Sequence, residues 1–114
     1  MYKQRQIVLV PFPYSDLSTT KRRPVLIVSN DLYNSSFNDV LVCVITSNLH
    51  KDEFSVGLSN DDLEIGILPE NSIVKSHKLF TIHKDKILKT FSLVTEQYFH
   101  QVKDKINSLI EPQK

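Results

Sequence analysis

The sequence predicts a small, mainly β domain: a strongly bent antiparallel sheet forming a barrel that one C-terminal amphipathic helix closes. Three observations lead there. Residues 7–10, 25–28 and 40–45 are β-branched apolar runs bounded by Pro, Asn, Asp or Ser, the mark of short strands buried on both faces or lying at the centre of a curled sheet. The period changes only near the end, where Phe99, Val102, Ile106, Leu109 and Ile110 recur at helical spacing. No repeat, low-complexity tract or linker interrupts the 114 residues, so the chain reads as one domain, 1–114, with a single core.

Taken in order, the opening MYKQRQIVLVPFP carries cations, but Pro11 and Pro13 break its apolar stretch too soon for a signal peptide. No run approaches the roughly 20 apolar residues of a membrane span, and a cytoplasmic protein with no membrane partner is the expectation. After the first strand comes a polar loop over residues 13–22. It has no glycine, which excludes a phosphate-cradling P-loop. The second and third strands follow. Cys43, the lone cysteine, lies within VLVCVI and reads as a buried small hydrophobe of a disulfide-free protein. Phe54, Val56 and Leu58 alternate as a fourth strand; residues 66–74 and 79–82 supply two more around the turn residues Pro69, Glu70 and Asn71. Residues 84–86 fit a short helical turn. The terminal helix has Thr95 as its N-cap and Pro112 beyond its last turn.

Composition narrows function less than charge placement does. With 14 basic and 13 acidic residues the net charge is +1, so a polyanion-binding role has to rest on local clusters. One cluster stands out: TTKRRPVLIVSND puts Lys21, Arg22 and Arg23 directly before Pro24 and an apolar strand. Pro24 biases Arg23 toward extended backbone and fixes it where the strand enters the barrel. The simpler role for all three cations is a solvated strand end that discourages edge pairing. His50, His77, His83 and His100 lack the spacing of a metal motif, and no carboxylates cluster to hold Mg²⁺. No metal or other cofactor is expected. His100 falls on the wet side of the helix, whereas His77, between Lys75 and Lys78 in KSHK, is the histidine placed to meet a substrate. Phe12 and Tyr14 border the loop and suit stacking on an unpaired base, although Phe12 fits a core position equally well. Lys84, Lys86 and Lys89 read as a solvated basic face with a secondary steering role.

The segments IVLVPFPYSDLSTTKRRPVLIVSND, VLVCVITSN and LFTIHKDKI, with the amphipathic end, resemble the MazF/PemK family of toxin endoribonucleases from type II toxin–antitoxin systems. The match runs over residues 6–110. Its most specific pieces are P-F-P-Y-S-D, the R-P pair that opens the second strand and the I-T-S that ends the third. The resemblance implies an SH3-like barrel (Kid/MazF/CcdB-like) with a C-terminal helix and a homodimer that cleaves single-stranded RNA, often mRNA, without a metal. It also implies a cognate antitoxin, through which alone operator DNA is met. It carries the catalytic roles onto Arg23 and Thr46. Tyr14, Ser15, Asp16, Lys21, Arg22, Ser47, Lys75 and His77 are the candidate substrate contacts.

Residue chemistry agrees with those roles in kind. Metal-free RNA cleavage uses the ribose 2′-OH as nucleophile, so the protein has to stabilise charge on a phosphorane and manage two protons. Arginine offers a permanent cation with a planar donor fork that matches phosphate oxygens, and a threonine hydroxyl can hold a non-bridging oxygen. The general base stays unassigned. Two departures from the family pattern stand out: Arg5 and Gln6 replace the usual Gly-Asp, and Thr90 and Phe91 stand where a glycine is common. If that first glycine lets backbone approach the substrate groove, its loss lowers activity or shifts sequence preference. Two other functions stay open beside the endoribonuclease, a catalytically silent RNA- or antitoxin-binding barrel and a CcdB-like gyrase poison. The latter would use the terminal helix, whose pattern here is ordinary.

Overall fold

The computed structural model describes residues 1–12 and 21–113. β1 (Gln6–Phe12) and β2 (Lys21–Ile27) form an antiparallel pair, followed by a short helix α1 (Asp31–Ser36) and β3 (Asp39–Thr46). Then come β4 (Ser55–Leu58), β5 (Leu63–Gly66), β6 (Ser72–His83), β7 (Lys89–Val94) and the terminal helix α2 (Glu96–Ile110). The strands make one curled sheet in the order β4-β6-β3-β2-β1-β7-β5, every ladder antiparallel. This is the mainly β architecture with a C-terminal helix that the periodicity predicts.

The apolar runs are buried on both faces because the sheet curls. Ile7, Leu26, Cys43, Ile45, Val74 and Val94 point to one side, where Tyr98, Phe99 and Val102 of α2 complete the core. Val8, Val10, Val25, Ile27, Val40 and Val42 form a second fully buried cluster on the other side, lined by Phe80, Ile82 and Ile87. Each such side chain contributes about 1.5–3 kcal/mol by leaving water, so strands of this kind need no polar face. Burial pushes the Cys43 thiol up to about 12, in keeping with an inert packing role.

Both helix ends follow sequence logic. The Asn30 side chain accepts from the Tyr33 amide to cap α1, and Thr95 accepts from Tyr98 to cap α2. The Tyr98 hydroxyl then donates to the carbonyl of Val56 at 3.1 Å, tying the helix to β4. Residues 84–86 form the expected single turn, of 3₁₀ type.

Four details differ from the sequence expectation. β2 begins at Lys21 rather than Val25, because ladder bonds to β1 extend its pairing through the cations. Residues 66–74 are not one strand: β5 ends at Gly66, a turn intervenes, and β6 starts at Ser72 and runs unbroken to His83. β6 pairs with β3 along two stretches, Cys43 opposite Leu79 and Val44 opposite Lys75, so Ser76, His77 and Lys78 bulge out between them. That polar bulge is why periodicity splits one strand into two. β7 and α1 carry too few apolar residues to be seen, and of the expected buried stripe of α2 Ile106 is the last residue packed against the core, leaving Leu109 and Ile110 41% and 70% exposed.

Candidate functional site

The adjacent cations Arg22 and Arg23 lie in β2, where strand alternation sends successive side chains to opposite faces. Arg23 pairs with Val10 and shares a face with Val25 and Ile27; Arg22 pairs with Pro11 and shares the opposite face with Pro24 and Leu26. The ladder therefore gives the two arginines different surroundings. Arg23 is half-buried, while Lys21 and Arg22 are exposed.

Thr46 closes β3. The β2–β3 ladder ends at the pair Val25–Val44, and two residues further along each strand, on the same face, come Arg23 and Thr46. Thr46 is half-buried, and its Oγ1 accepts from the Asn48 amide at 3.1 Å, a turn contact that holds the hydroxyl at the strand end. Thr46 pairs onward with Ile73, and Ile73 with Gly57. One cross-strand row thus carries Val10, Arg23, Thr46, Ile73 and Gly57.

Lys75 belongs to the next row, paired with Val44 and Ser55. Its ammonium donates to the His50 carbonyl at 2.9 Å, the Ser55 hydroxyl at 3.1 Å and the Asp52 carboxylate at 3.2 Å. An ammonium has three donors, and all three are engaged. The Lys75 side chain is also only 13% exposed. Lys75 therefore fastens the β3–β4 loop to the sheet, a job different from the substrate contact its sequence setting suggests. The burial of Asp52 opposes its ionisation, but donations from the Ser55 hydroxyl, the Phe54 amide and Lys75 outweigh it and hold the carboxyl at about 2. His77, from the bulge, sets Nε2 3.8 Å from Asp52 and tilts against the Phe54 ring at 5.6 Å, with a buried Nδ1 that has no hydrogen-bond partner among the described residues. It packs against the same loop.

The Lys51 ammonium from that loop lies over Gly57, where a Cβ would stand 3.3 Å from its Nζ. Lys51 thereby joins the row of Arg23 and Thr46 from its far end, a placement no local sequence signal reveals.

On the other face, between the ends of β2 and β3, the turn 67–71 and β7, a cavity of about 510 Å³ opens. Arg22, Arg23, Ser47, Glu70, Lys89 and Phe91 are on its wall. Ser47 thus lies on the face of Arg22, opposite that of Thr46. Tyr14, Ser15 and Asp16 lie outside the described residues. Among the described residues no three His, Cys, Asp or Glu gather as a metal-ligand group, and no helix is long and apolar enough to cross a membrane.

Arg5 and Gln6 are far from this region. Arg5 adopts φ +80° and its amide bonds to Ile27, at the end of β2 opposite Arg23. Val10 is five residues further along the chain, about 17 Å at strand rise. The Gln6 side chain accepts from the Lys3 amide at 2.8 Å. This departure from the family pattern does not border the Arg23–Thr46 row.

The model of the PemK-like, MazF-like toxins of type II toxin–antitoxin systems matches residues 3–110. The chain belongs to this family. Solved MazF structures share its fold. A mycobacterial endoribonuclease in complex with its cognate antitoxin is 21% identical with a TM-score of 0.79 over 100% of both chains. The Mycobacterium tuberculosis toxin MazF-mt6 is 17% identical with a TM-score of 0.77 over 96% of this chain and 100% of that one. MazF from Deinococcus radiodurans gives 19% and 0.77, covering 97% of each chain. No curated protein matches the chain in sequence.

Proposed function

We propose that this family toxin is an endoribonuclease that cuts single-stranded RNA at the Arg23–Thr46 row. The observation that supports it most is that the β2–β3 ladder, ending at Val25–Val44, leaves the half-buried residues Arg23 and Thr46 next along their strands on one face. In the proposed reaction the ribose 2′-oxygen attacks the adjacent phosphorus, and the bond from phosphorus to the 5′-oxygen breaks. The 2′-OH proton leaves as the new bond forms, and the departing 5′-oxygen takes up a proton. The Arg23 fork stabilises the extra charge on the phosphorane oxygens, and Thr46 Oγ1 orients one of them. The Arg23 backbone is held by the β1 ladder and the Thr46 hydroxyl by its turn bond before substrate arrives, which limits the reorganisation needed at the moment of reaction.

Lys21, exposed at the start of β2, serves as a long-range attraction for the phosphate backbone. A symmetric homodimer and a cognate antitoxin complete the proposed assembly, and the exposed Leu109 and Ile110 of α2 are apolar surface that such partners can cover. The reaction needs no metal in this scheme, since charge neutralisation falls to Arg23.

The test is incubation of a single-stranded RNA with the purified protein in excess EDTA, with product ends read by mass spectrometry. Fragments ending in 2′,3′-cyclic phosphate and 5′-hydroxyl are expected. Fragments with 5′-phosphate, or cleavage that stops with EDTA, reject the mechanism; RNA that binds but stays intact identifies a binding module instead.

A further inference from the structure

We propose that the outer edge of β5 docks an extended polypeptide segment of alternating basic and apolar residues, which joins the sheet as a further strand. No residue of the Arg23–Thr46 row takes part, so this site stands apart from the endoribonuclease reading. The described sheet ends at β4 on one side and at β5 on the other, and an end strand presents N–H and C=O groups that another chain can pair with. The fold treats the two ends differently. At β4, Val56 and Leu58 are buried and the Tyr98 hydroxyl donates to the Val56 carbonyl at 3.1 Å, so α2 covers that strand. β5 pairs with β7 alone, and Glu64, Ile65 and Gly66 are exposed. Ile65 is 61% exposed and Ile67 77%. The segment is nevertheless held in place from both sides. Leu63 packs on the core and Leu68 is buried; the Leu68 amide donates to the Asn60 side chain at 2.7 Å, and the Thr95 amide to the Asp62 carbonyl at 2.9 Å. A strand fixed in this way loses little freedom when a partner pairs with it.

Charge identifies the occupant. Residues 60–70, NDDLEIGILPE, carry four carboxylates, Asp61, Asp62, Glu64 and Glu70, and no Lys, Arg or His. Arg5 pairs with Glu64, and Asp62 accepts from Ser59. Asp61 and Glu70 are exposed and make no ion pair among the described residues. A field of this sign repels a nucleic-acid backbone and draws in cations. It also disfavours a second copy of β5, because pairing the strand with itself sets like charges side by side. Successive side chains of an added strand point to opposite faces. Apolar residues on one face can then cover the isoleucines while basic residues on the other meet the carboxylates. In such strand addition the main-chain bonds supply affinity and the alternate side chains supply specificity.

The experiment titrates a synthetic peptide of alternating lysine and valine into the ¹⁵N-labelled full chain and follows amide shifts and hydrogen exchange. Two control peptides of the same length are used: one alternates glutamate and valine, and the other is the lysine–valine peptide N-methylated at every residue, which has no strand donors. The lysine–valine peptide should shift the amides of 63–67, slow exchange in β5 and bind more weakly as salt rises. Neither control should do so. Ile65→Lys should weaken binding roughly ten-fold, the lower end of what one buried aliphatic side chain contributes. Asp61→Asn combined with Glu70→Gln should remove most of the salt dependence, and thermal melting checks that both variants fold. Equal shifts from the N-methylated peptide overturn strand addition, and equal shifts from the glutamate peptide overturn the charge match. No shift at 63–67 overturns the site. If light scattering shows that Ile65→Lys instead breaks up a dimer of the parent, the edge belongs to a second copy and the basic partner is rejected.

Discussion

The Arg5 guanidinium donates to the carbonyl of Val94 at 2.6 Å from a backbone held at φ +80°. Its backbone joins in: the Arg5 amide bonds to Ile27 and its carbonyl accepts from Val94, so one residue laces β1, β2 and the end of β7 together. Glu64 adds an ion pair at 3.2 Å. The left-handed conformation is one that glycine adopts freely and other residues adopt at a cost of about 1–2 kcal/mol. The arginine offsets that strain with its side-chain bonds.

Two substitutions separate the strain from the bonds. Arg5→Ala keeps the strain and loses the bonds, and should destabilise by about 2–3 kcal/mol, as for loss of a hydrogen bond to a charged group. Arg5→Gly relieves the strain and should cost distinctly less. Denaturant melts of both variants give the comparison; equal losses would show that the backbone conformation is unstrained. RNA cleavage by the folded Arg5→Gly variant should match the parent, since Arg5 lies at the far end of β1 from Arg23.

The Lys75–Asp52 clamp makes a pH prediction. The Asp52 carboxyl is depressed to about 2 from an ordinary 3.8, so ionised Asp52 favours the folded state. That stabilisation is complete above about pH 4 and is lost as pH falls through about 2. The melting temperature of the parent should exceed that of Asp52→Asn by a constant margin above pH 4, and the two curves should converge near pH 2. A margin that still changes well above pH 4 would show that ionisation of Asp52 does not set it.

Gly66 gives a stability prediction of a different kind. Its φ is +94°, and a Cβ would meet backbone of Phe91 at 2.4 Å and Ser92 at 2.9 Å. Neither obstacle can swing away, so Gly66→Ala combines a strained conformation with a backbone clash and should cost about 2–4 kcal/mol. Gly57→Ala is the control. Its Cβ would meet only the tip of the flexible Lys51 side chain, and a change within about 0.5 kcal/mol is expected. Equal destabilisation by the two would mean that the β5–β7 contact yields more easily than its geometry implies.

The core was legible because burial leaves a periodic signature. Runs such as VLVCVI specify strands buried on both faces, and Thr95 with the following helical period specifies α2. β7 was hidden because only Phe91, Leu93 and Val94 of its residues are apolar, and its place is set by pairing to β1 across a bulge. Pairing also explains what could be read of the site. Arg23 and Thr46 were nominated by R-P and I-T-S, but their placement on one face follows from register, a long-range property. Lys75 shows the reverse. Its setting in KSHK suggests a substrate cation, while the loop that occupies all its donors comes from more than 20 residues away in sequence. Glu70 and Phe91 gave no such hint, since a turn carboxylate and a lone aromatic become a cavity wall only when β7 and the turn 67–71 meet.

The last prediction divides the cations of KRRP by strand geometry. Arg23 is half-buried, fixed by the β1 ladder and on one face with Thr46, whereas Lys21 is exposed at the strand's start. In the proposed reaction the first contacts the phosphorane and the second only attracts RNA. Lys21→Ala should therefore weaken binding modestly, with a loss that shrinks as salt screens the backbone. Arg23→Ala removes a preorganised donor whose contact is strongest in the transition state, and should slow single-turnover cleavage by about 10² to 10³, or roughly 3–4 kcal/mol. Thr46→Ala should act in the same direction but less, because a neutral hydroxyl contributes less to an anionic transition state than a guanidinium does. Arg23→Lys keeps the charge but not the fork and should recover only part of the rate. Thermal melting of each variant distinguishes a folding defect from a chemical one. Should folded Arg23→Ala cut as fast as the parent while Lys21→Ala fails at every salt concentration, the phosphate is held at the start of β2 and not at the Arg23–Thr46 row.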